Sequence, residues 1–452
     1  MANVDLGRYK RIVQYFWDPE PKNDDAARLP IWCLGKKYTS SLTSESDCPS
    51  SRRDSQSGQV LPQGLAKPSV EDDGNRYAEE TEDERRGLHT VRGSGSEDES
   101  GWPPTFLDDF ESRIWFTYRS NFPSITRSPD PNASSAMSLS VRIRSQLVDQ
   151  GGFTSDTGWG CMIRSGQCLL ANALLMLRLG RDWRRGTKQA EELQLLSLFA
   201  DDPDAPFSIH RFVQHGASAC GKHPGEWFGP SATARCIRAL SEERANTGLR
   251  VYMTGDGSDI YEDAFLEVAK AGDGSFSPTL VLLGIRLGID RVTPVYWEAL
   301  KTSLRLSQSV GIAGGRPSSS HYFVGVQGDY FFYLDPHQTR PALPLHRSLT
   351  QYTAEDVESC HSRRLRRLHI KDMDPSMLIA FLIRDEADWR DWRDAVSHVQ
   401  GKAVVHVSDR NLALHGHGAG RESAVDDVET FDDEDSGDED DGEIVEHPSA
   451  ST

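Results

Sequence analysis

Gly158-Trp-Gly-Cys-Met-Ile-Arg-Ser-Gly-Gln-Cys-Leu-Leu-Ala-Asn-Ala-Leu-Leu-Met-Leu-Arg-Leu179 carries the densest helical signal in the sequence. From Cys161 onward it is rich in Leu, Ala and Met, all strong helix formers, and Gly180 is a natural stop. Its apolar residues leave almost no polar face, which predicts a buried central helix. Downstream, Pro278–Leu287 reads as a buried strand. Tyr322–Val326 and Tyr330–Leu334, separated by a turn at Gly328-Asp329, read as a hairpin of aromatic strands. A further strand over Leu378–Ile383 leads into a helical run with Trp389 and Trp392. One buried helix followed by an antiparallel sheet predicts the α+β class.

Composition sets the limits of this core. Of 452 residues only 37 % are hydrophobic, and 69 acidic residues against 50 basic ones give a net charge of −19. From Arg421 to Thr452 there are fourteen Asp and Glu against one Arg, so most of that charge belongs to the C-terminal end. Residues 39–103 are rich in Ser, Gly, Asp, Glu and Arg. Such a segment cannot offset its ordering entropy and reads as a disordered insertion. Four parts result: residues 1–38, whose apolar block Leu29–Tyr38 should pack on the core, the insertion 39–103, a folded domain 104–400, and an acidic disordered tail 401–452.

An acidic chain is a poor match for phosphate backbones, which argues against nucleic acid as a partner. The longest nearly apolar stretch, Leu169–Leu177, is far short of the ~20 residues that span a bilayer. No apolar signal segment opens the sequence. The seven scattered cysteines contain no C-x-x-C pair, so neither a disulfide framework nor a zinc ribbon fits. The expectation is a soluble protein of a reducing compartment. The basic run Arg363–Arg367 reads as a solvated strand edge, and His415-Gly-His417 as ordinary tail.

Cys161 stands at the start of the buried helix, where the macrodipole favours a thiolate. Glycines just before it allow a substrate backbone to come close. The plainer reading is a buried small hydrophobe, the usual fate of a free cysteine. A nucleophilic cysteine needs an imidazole and an orienting group. His321 opens the first aromatic strand and Asp335 closes the second, which is one arrangement. Asp335 and His337, two apart in what reads as an extended segment, would project to the same face, which is another. Pattern alone does not choose between them.

Thr154-Ser-Asp-Thr-Gly-Trp-Gly-Cys-Met-Ile-Arg-Ser-Gly-Gln167 resembles the autophagins, papain-like cysteine proteases of autophagy. The resemblance continues in Pro30–Tyr38, Ser112–Pro123, Leu179–Trp183, Gly225–Pro230, Gly314–Phe323, Tyr333–Thr339 and Met373–Ser376, in order across the core. It implies Cys161 as nucleophile with Asp335 and His337 as its partners, and leaves His321 as a structural or cleft-lining residue. It assigns Tyr118 to the oxyanion site beside the Cys161 N–H. Trp227 would cover the groove, faced by the Arg316–Ser320 loop, so that Trp227 and Pro317 meet the substrate.

The implied activity is cleavage of the precursor of a ubiquitin-like autophagy modifier to expose a glycine. A second implied activity is hydrolysis of the glycine–phosphatidylethanolamine amide that holds the modifier on membranes. No metal or cofactor is implied. The implied partners are the two forms of the modifier and, through the conjugate, autophagic membrane. The implied location is the cytoplasm with recruitment to the preautophagosomal structure, with the nucleus as a further site. Rival readings are a ubiquitin-type deconjugating protease and a non-catalytic modifier-binding scaffold. Ser128–Gln150 is longer than in compact members of the family, and Tyr9-Lys-Arg-Ile12 has the spacing of a modifier-docking motif.

Overall fold

The computed structural model describes residues 20–25, 27–39, 100–147, 151–254, 257–270, 272–315 and 319–409. The elements in chain order begin with β1 (Ile31–Cys33), β2 (Lys36–Tyr38), α1 (Pro104–Glu111), β3 (Arg119–Ile125), α2 (Leu139–Leu147) and β4 (Phe153–Ser155). Next come α3 (Cys161–Arg178), α4 (Gln189–Ser197), α5 (Ile209–Ala219), α6 (Pro230–Glu243), β5 (Arg250–Met253), β6 (Asp259–Tyr261) and α7 (Glu262–Ala269). Then follow β7 (Thr279–Arg286), α8 (Trp297–Arg305), β8 (Ser309–Gly314), β9 (His321–Gln327), β10 (Tyr330–Leu334) and β11 (Arg340–Pro341). The last are α9 (Ala354–Glu358), β12 (Arg367–His369), β13 (Ser376–Ile383), α10 (Glu386–Ser397) and β14 (His406–Ser408).

The main sheet runs β12-β10-β9-β8-β13-β7-β5, and β1 joins it on β9 with β2 as its hairpin partner. Its pairings are antiparallel except β5 on β7. The eight residues of β13 are all buried, as are all but the last of β7. Continuous burial explains why both read as unbroken apolar runs, since a strand covered on both faces has no polar side to show. The β9–β10 hairpin turns at Gly328-Asp329, with Gln327 opposite Tyr330.

Helix α3 packs on β8 and β9, and every side chain from Cys161 to Met176 is buried. Asn172 accepts from Ile114 N–H at 3.0 Å and donates to Ile114 O at 2.9 Å. Among the described residues no helix is long and apolar enough to cross a membrane.

The packed chain departs from the sequence boundaries at two places. Packed residues are present before 104: Trp102 is buried against Phe106 and Phe332 and donates its Nε1–H to Pro21 O at 2.7 Å. At the other end it continues past 400, because Val404 and Val405 are buried and β14 pairs in parallel with β6. In both cases a few apolar residues inside a polar stretch are enough to hold the backbone. Most of the 39–103 insertion, the tail beyond Asp409 and the Tyr9–Ile12 motif lie outside the described residues. The Arg363–Arg367 run proves mixed: β12 is the sheet edge, but Arg366 is buried and Arg363 pairs with Asp108 and Glu111.

Candidate active site

Cys161 is the first residue of α3, and the turn that delivers it is set by Asp156. The Asp156 carbonyl accepts from Trp159 N–H at 3.1 Å and Gly160 N–H at 2.8 Å. Gly158 takes φ +93°, the left-handed region that favours glycine. Gly160 has no room for a side chain: a Cβ there would stand 2.2 Å from Asp156 Oδ2. The glycines are therefore required by the turn itself, whatever the substrate needs.

The segment from Ile114 to Arg119 lies between α3 and the chain that follows β10. Phe116 N–H meets the Cys168 sulfur at 3.0 Å on one side. On the other, Trp115 Nε1–H donates to Asp335 O at 2.8 Å and Tyr118 N–H to Pro336 O at 2.9 Å. These bonds bring Tyr118 and His337 together, with ring centroids 5.4 Å apart and nearly perpendicular.

Asp335 and His337 do face each other, but not through strand alternation. β10 ends at Leu334 and residues 335–338 form a turn. Asp335 Oδ1 accepts from His337 N–H at 3.0 Å and from His337 Nδ1 at 2.6 Å, so the carboxylate closes its own Asx-type turn and holds the ring as well. With Nδ1 committed, Nε2 is buried without a hydrogen-bond partner among the described residues, and it is the nitrogen left to serve the Cys161 sulfur.

The electrostatics of these groups are coupled. Burial, the largest influence on Cys161, pushes its thiol up, yet the His337 hydrogen bond and charge, Ser320 N–H and the Tyr118 hydroxyl bring it below the ordinary thiol range. Burial opposes the charged form of His337 too, but Asp335 and the Cys161 thiolate raise its pKa to about 10. Burial likewise opposes ionisation of Asp335, and His337 overcomes it, leaving the carboxyl well below its usual range. The stable pair is thus thiolate and imidazolium. Tyr118 is driven well above the ordinary phenol range by burial and by the Cys161 charge, so its hydroxyl stays a donor.

His321 behaves differently. Its ring sits 5.3 Å from His337 and 4.4 Å from Tyr333. Burial, aided by the His337 charge and only partly countered by Asp335, lowers its pKa to about 4. It is neutral at physiological pH and lines the cluster. Ligand atoms of His321, Asp335 and His337 lie within 4.8 Å of one another. A cation there would have to displace the 2.6 Å Asp335–His337 bond.

Residues the sequence reading did not single out fix this arrangement. Asp156 Oδ1 accepts from Arg119 N–H at 2.6 Å and Oδ2 from Arg164 Nε at 2.8 Å. Arg164 also donates to Asp201 Oδ1 at 2.7 Å, and Asp201 Oδ2 accepts from Leu343 N–H at 2.8 Å. One buried network thus joins the backbone beside Tyr118, the first turn of α3 and the chain beyond His337. Arg164, a charge in the first turn of an otherwise apolar run that meets no other until Arg178, was the visible signal, since a buried charge requires partners. Ser320 Oγ lies 3.2 Å from Ser165 Oγ, next to the N–H that addresses the thiolate.

Residues 103–395 match the Peptidase C54 catalytic domain. The chain belongs to the peptidase C54 family. Curated C54 relatives span nearly the whole of it. A probable cysteine protease atg4 of Sclerotinia sclerotiorum is 64 % identical over 440 residues, covering 96 % of this chain and 98 % of that protein. A probable cysteine protease ATG4 of Coccidioides immitis is 56 % identical over 444 residues, covering 96 % and 100 %. A cysteine protease ATG4 of Gibberella zeae is 52 % identical over 464 residues, covering 96 % and 98 %. This C54 chain is accordingly a papain-like α+β cysteine protease of autophagy, the family its motif series resembled. Of the site residues expected from sequence, Cys161, Asp335, His337 and Tyr118 converge. Trp227 lies on the α5–α6 loop, half-buried against the core, and Pro317 falls outside the described residues.

Proposed function

We propose that Cys161 is the nucleophile of a peptidase that trims a ubiquitin-like autophagy modifier to a C-terminal glycine and later releases it from phosphatidylethanolamine. The observation that carries this reading is the 2.6 Å Asp335–His337 bond beside Cys161, whose thiol His337 helps to bring below its ordinary range. The thiolate attacks the glycine carbonyl carbon. The resulting oxyanion accepts from the Tyr118 hydroxyl and the Cys161 backbone N–H, and a donor of that kind is typically worth ~10²–10³ in rate. His337 gives its proton to the leaving amine, which is the next residue's nitrogen in the precursor and the lipid headgroup's in the conjugate. A water, deprotonated by His337, then hydrolyses the thioester.

Peptide and lipid amides need the same chemistry, so one site serves both. The motif series and the C54 relatives favour the autophagy modifier over ubiquitin as substrate. Trp227 is assigned to the substrate groove. Its buried indole N–H has no hydrogen-bond partner among the described residues. The proposed location is the cytoplasm with recruitment to the preautophagosomal structure, with the nucleus as a further site; the six cysteines among the described residues are free, as a reducing compartment keeps them. The test is incubation of the purified protein with modifier precursors, lipidated modifier and ubiquitin fusions, reading each new C-terminus by mass spectrometry. Cleavage after the modifier's glycine supports the reading. Release of ubiquitin alone, or no cleavage, overturns it.

A further inference from the structure

Helix α2, Leu139–Leu147, lies in the connection between β3 and β4. Val141 faces inward, its Cγ2 3.4 Å from the place a Cβ on Gly158 would occupy. Arg144 donates to Thr157 O at 3.0 Å, and Thr157 Oγ1 is 2.9 Å from Thr339 Oγ1, two residues past His337. The helix is therefore built onto the turn that delivers Cys161, at the edge of the site.

Its other face is uncovered. Leu139 is 63 % exposed and Ile143 48 %, and a spacing of four places them side by side along the helix. Together they leave adjacent apolar surface in water that the fold does not cover. The charge here is also unlike the rest of this acidic chain. From Pro131 to Val148 there is no Asp or Glu, while Arg142 and Arg144 are both present. Arg142 donates to Ser134 O at 2.9 Å and Arg144 to Thr157 O, both neutral acceptors, and neither arginine has an ion pair among the described residues. Asp130, just before the segment, accepts from Asn132 N–H and faces His223.

We propose that the Leu139–Ile143 face of α2 is a membrane contact that seats the active site on the lipid surface carrying the conjugate. The proposal rests on the delipidating reading given above. The amide to be cut is at the headgroup, so the surface beside Cys161 must come to the bilayer interface. Two adjacent aliphatic side chains flanked by uncompensated arginines are what an interface of acyl chain and phosphate takes up. The fourteen acidic residues beyond Arg421 are repelled by such a surface, which leaves α2 as the favoured point of approach.

The test uses the full-length protein with Leu139→Ser and Ile143→Ser combined; both side chains are exposed, so folding is preserved and is checked by the melting temperature. The substrates are soluble precursor and modifier conjugated on vesicles of phosphatidylethanolamine, phosphatidylcholine and phosphatidylinositol. Precursor cleavage should be unchanged and vesicle release about tenfold slower, the loss of a modest apolar anchor. Separately, Cys161→Ser protein should co-sediment with the same vesicles free of modifier, and lose that binding when Leu139→Ser and Ile143→Ser are added. Equal vesicle rates overturn the proposal. Equal losses on both substrates overturn it in favour of the modifier's body as occupant. A dimer in light scattering that the double substitution dissolves overturns it in favour of a second copy. If the parent enzyme cleaves neither substrate the proposed function fails, while co-sedimentation still decides the membrane contact.

Discussion

Asp335 holds His337 by two hydrogen bonds to a single oxygen, one from the backbone N–H at 3.0 Å and one from the ring at 2.6 Å. The imidazole thereby turns with the backbone instead of swinging on its own χ angles, and its Nε2 is aimed at Cys161 before substrate arrives. Trp115, through its bond to Asp335 O, ties this unit to the strand-like segment that presents Tyr118. Aim and charge are supplied by the same carboxylate.

Removing that carboxylate should separate the two effects. Cys161 lies below the ordinary thiol range and His337 is raised to about 10, so the ion pair persists between these limits. kcat/KM should rise on the acid side as the thiolate forms and fall on the alkaline side as His337 loses its proton. Asp335→Asn withdraws one of the influences that raise His337, so the alkaline limb should move to lower pH, with roughly 10³-fold lower kcat. An unmoved alkaline limb would show that Asp335 does not govern the His337 charge.

Cys161→Ser should leave folding and modifier binding intact and lower cleavage at least ~10³-fold. His337→Ala should be comparably severe. His321→Ala should be much milder, because a ring lowered to about 4 carries no proton to give at neutral pH. Comparing variants of matched melting temperature checks the ranking, and the reverse order would restore His321 as the base.

Thiol reactivity offers a second check. Burial pushes Cys168 and Cys33 up to about 12, so neither should be alkylated in the folded protein. Cys220 is lowered to about 6, chiefly by the Cys236 hydrogen bond with help from Arg235 and His215, and it is partly exposed. Peptide mapping after brief iodoacetamide treatment at neutral pH should find Cys161 and Cys220 modified. Only Cys161 modification should track loss of activity, and Cys220→Ser should remain fully inhibitable.

The Asp156 network predicts a stability effect. Asp156→Ala leaves Arg164 buried with one carboxylate instead of two and frees the Arg119 N–H, at a cost of about 3–5 kcal/mol. Urea unfolding measures it. A loss below ~1 kcal/mol would mean the site relaxes around the missing carboxylate.

At the edge of the insertion, a deletion of residues 41–99 should spare precursor cleavage, whereas Trp102→Ala should destabilise by about 3–5 kcal/mol by opening a cavity against Phe106 and Phe332. Melting curves of the two proteins separate these outcomes.

Much of this was legible in the chain. The apolar run after Cys161, the aromatic hairpin and the β13 strand announced themselves because each is a contiguous local pattern. The site was less so. Spacing offered Asp335 and His337 as one of two arrangements and the family resemblance selected it, but the reason they meet is a turn closed by the Asp side chain, which alternation does not describe. Asp156, Ser320 and Asp201 gave no local sign, since each acts through a partner that only folding brings near. Val404, Val405 and Trp102 were missed because a handful of apolar residues is invisible within a window averaged over polar neighbours.

Strand β1 pairs with β9 through Trp32 opposite Val326, and Arg181 donates to the Cys33 and Leu34 carbonyls that follow. On the ribosome this order is inverted in time. The chain must emerge nearly 300 residues beyond Trp32 before its partner strand exists. At ~5–20 residues per second that is a wait of roughly 15–60 s. Throughout it the Ile31–Cys33 strand has β2 on one edge and nothing on the other, the edge that β9 later takes. Docking of this hairpin is accordingly a late event of biosynthesis, and until it occurs the strand that begins with His321 lacks one of its neighbours.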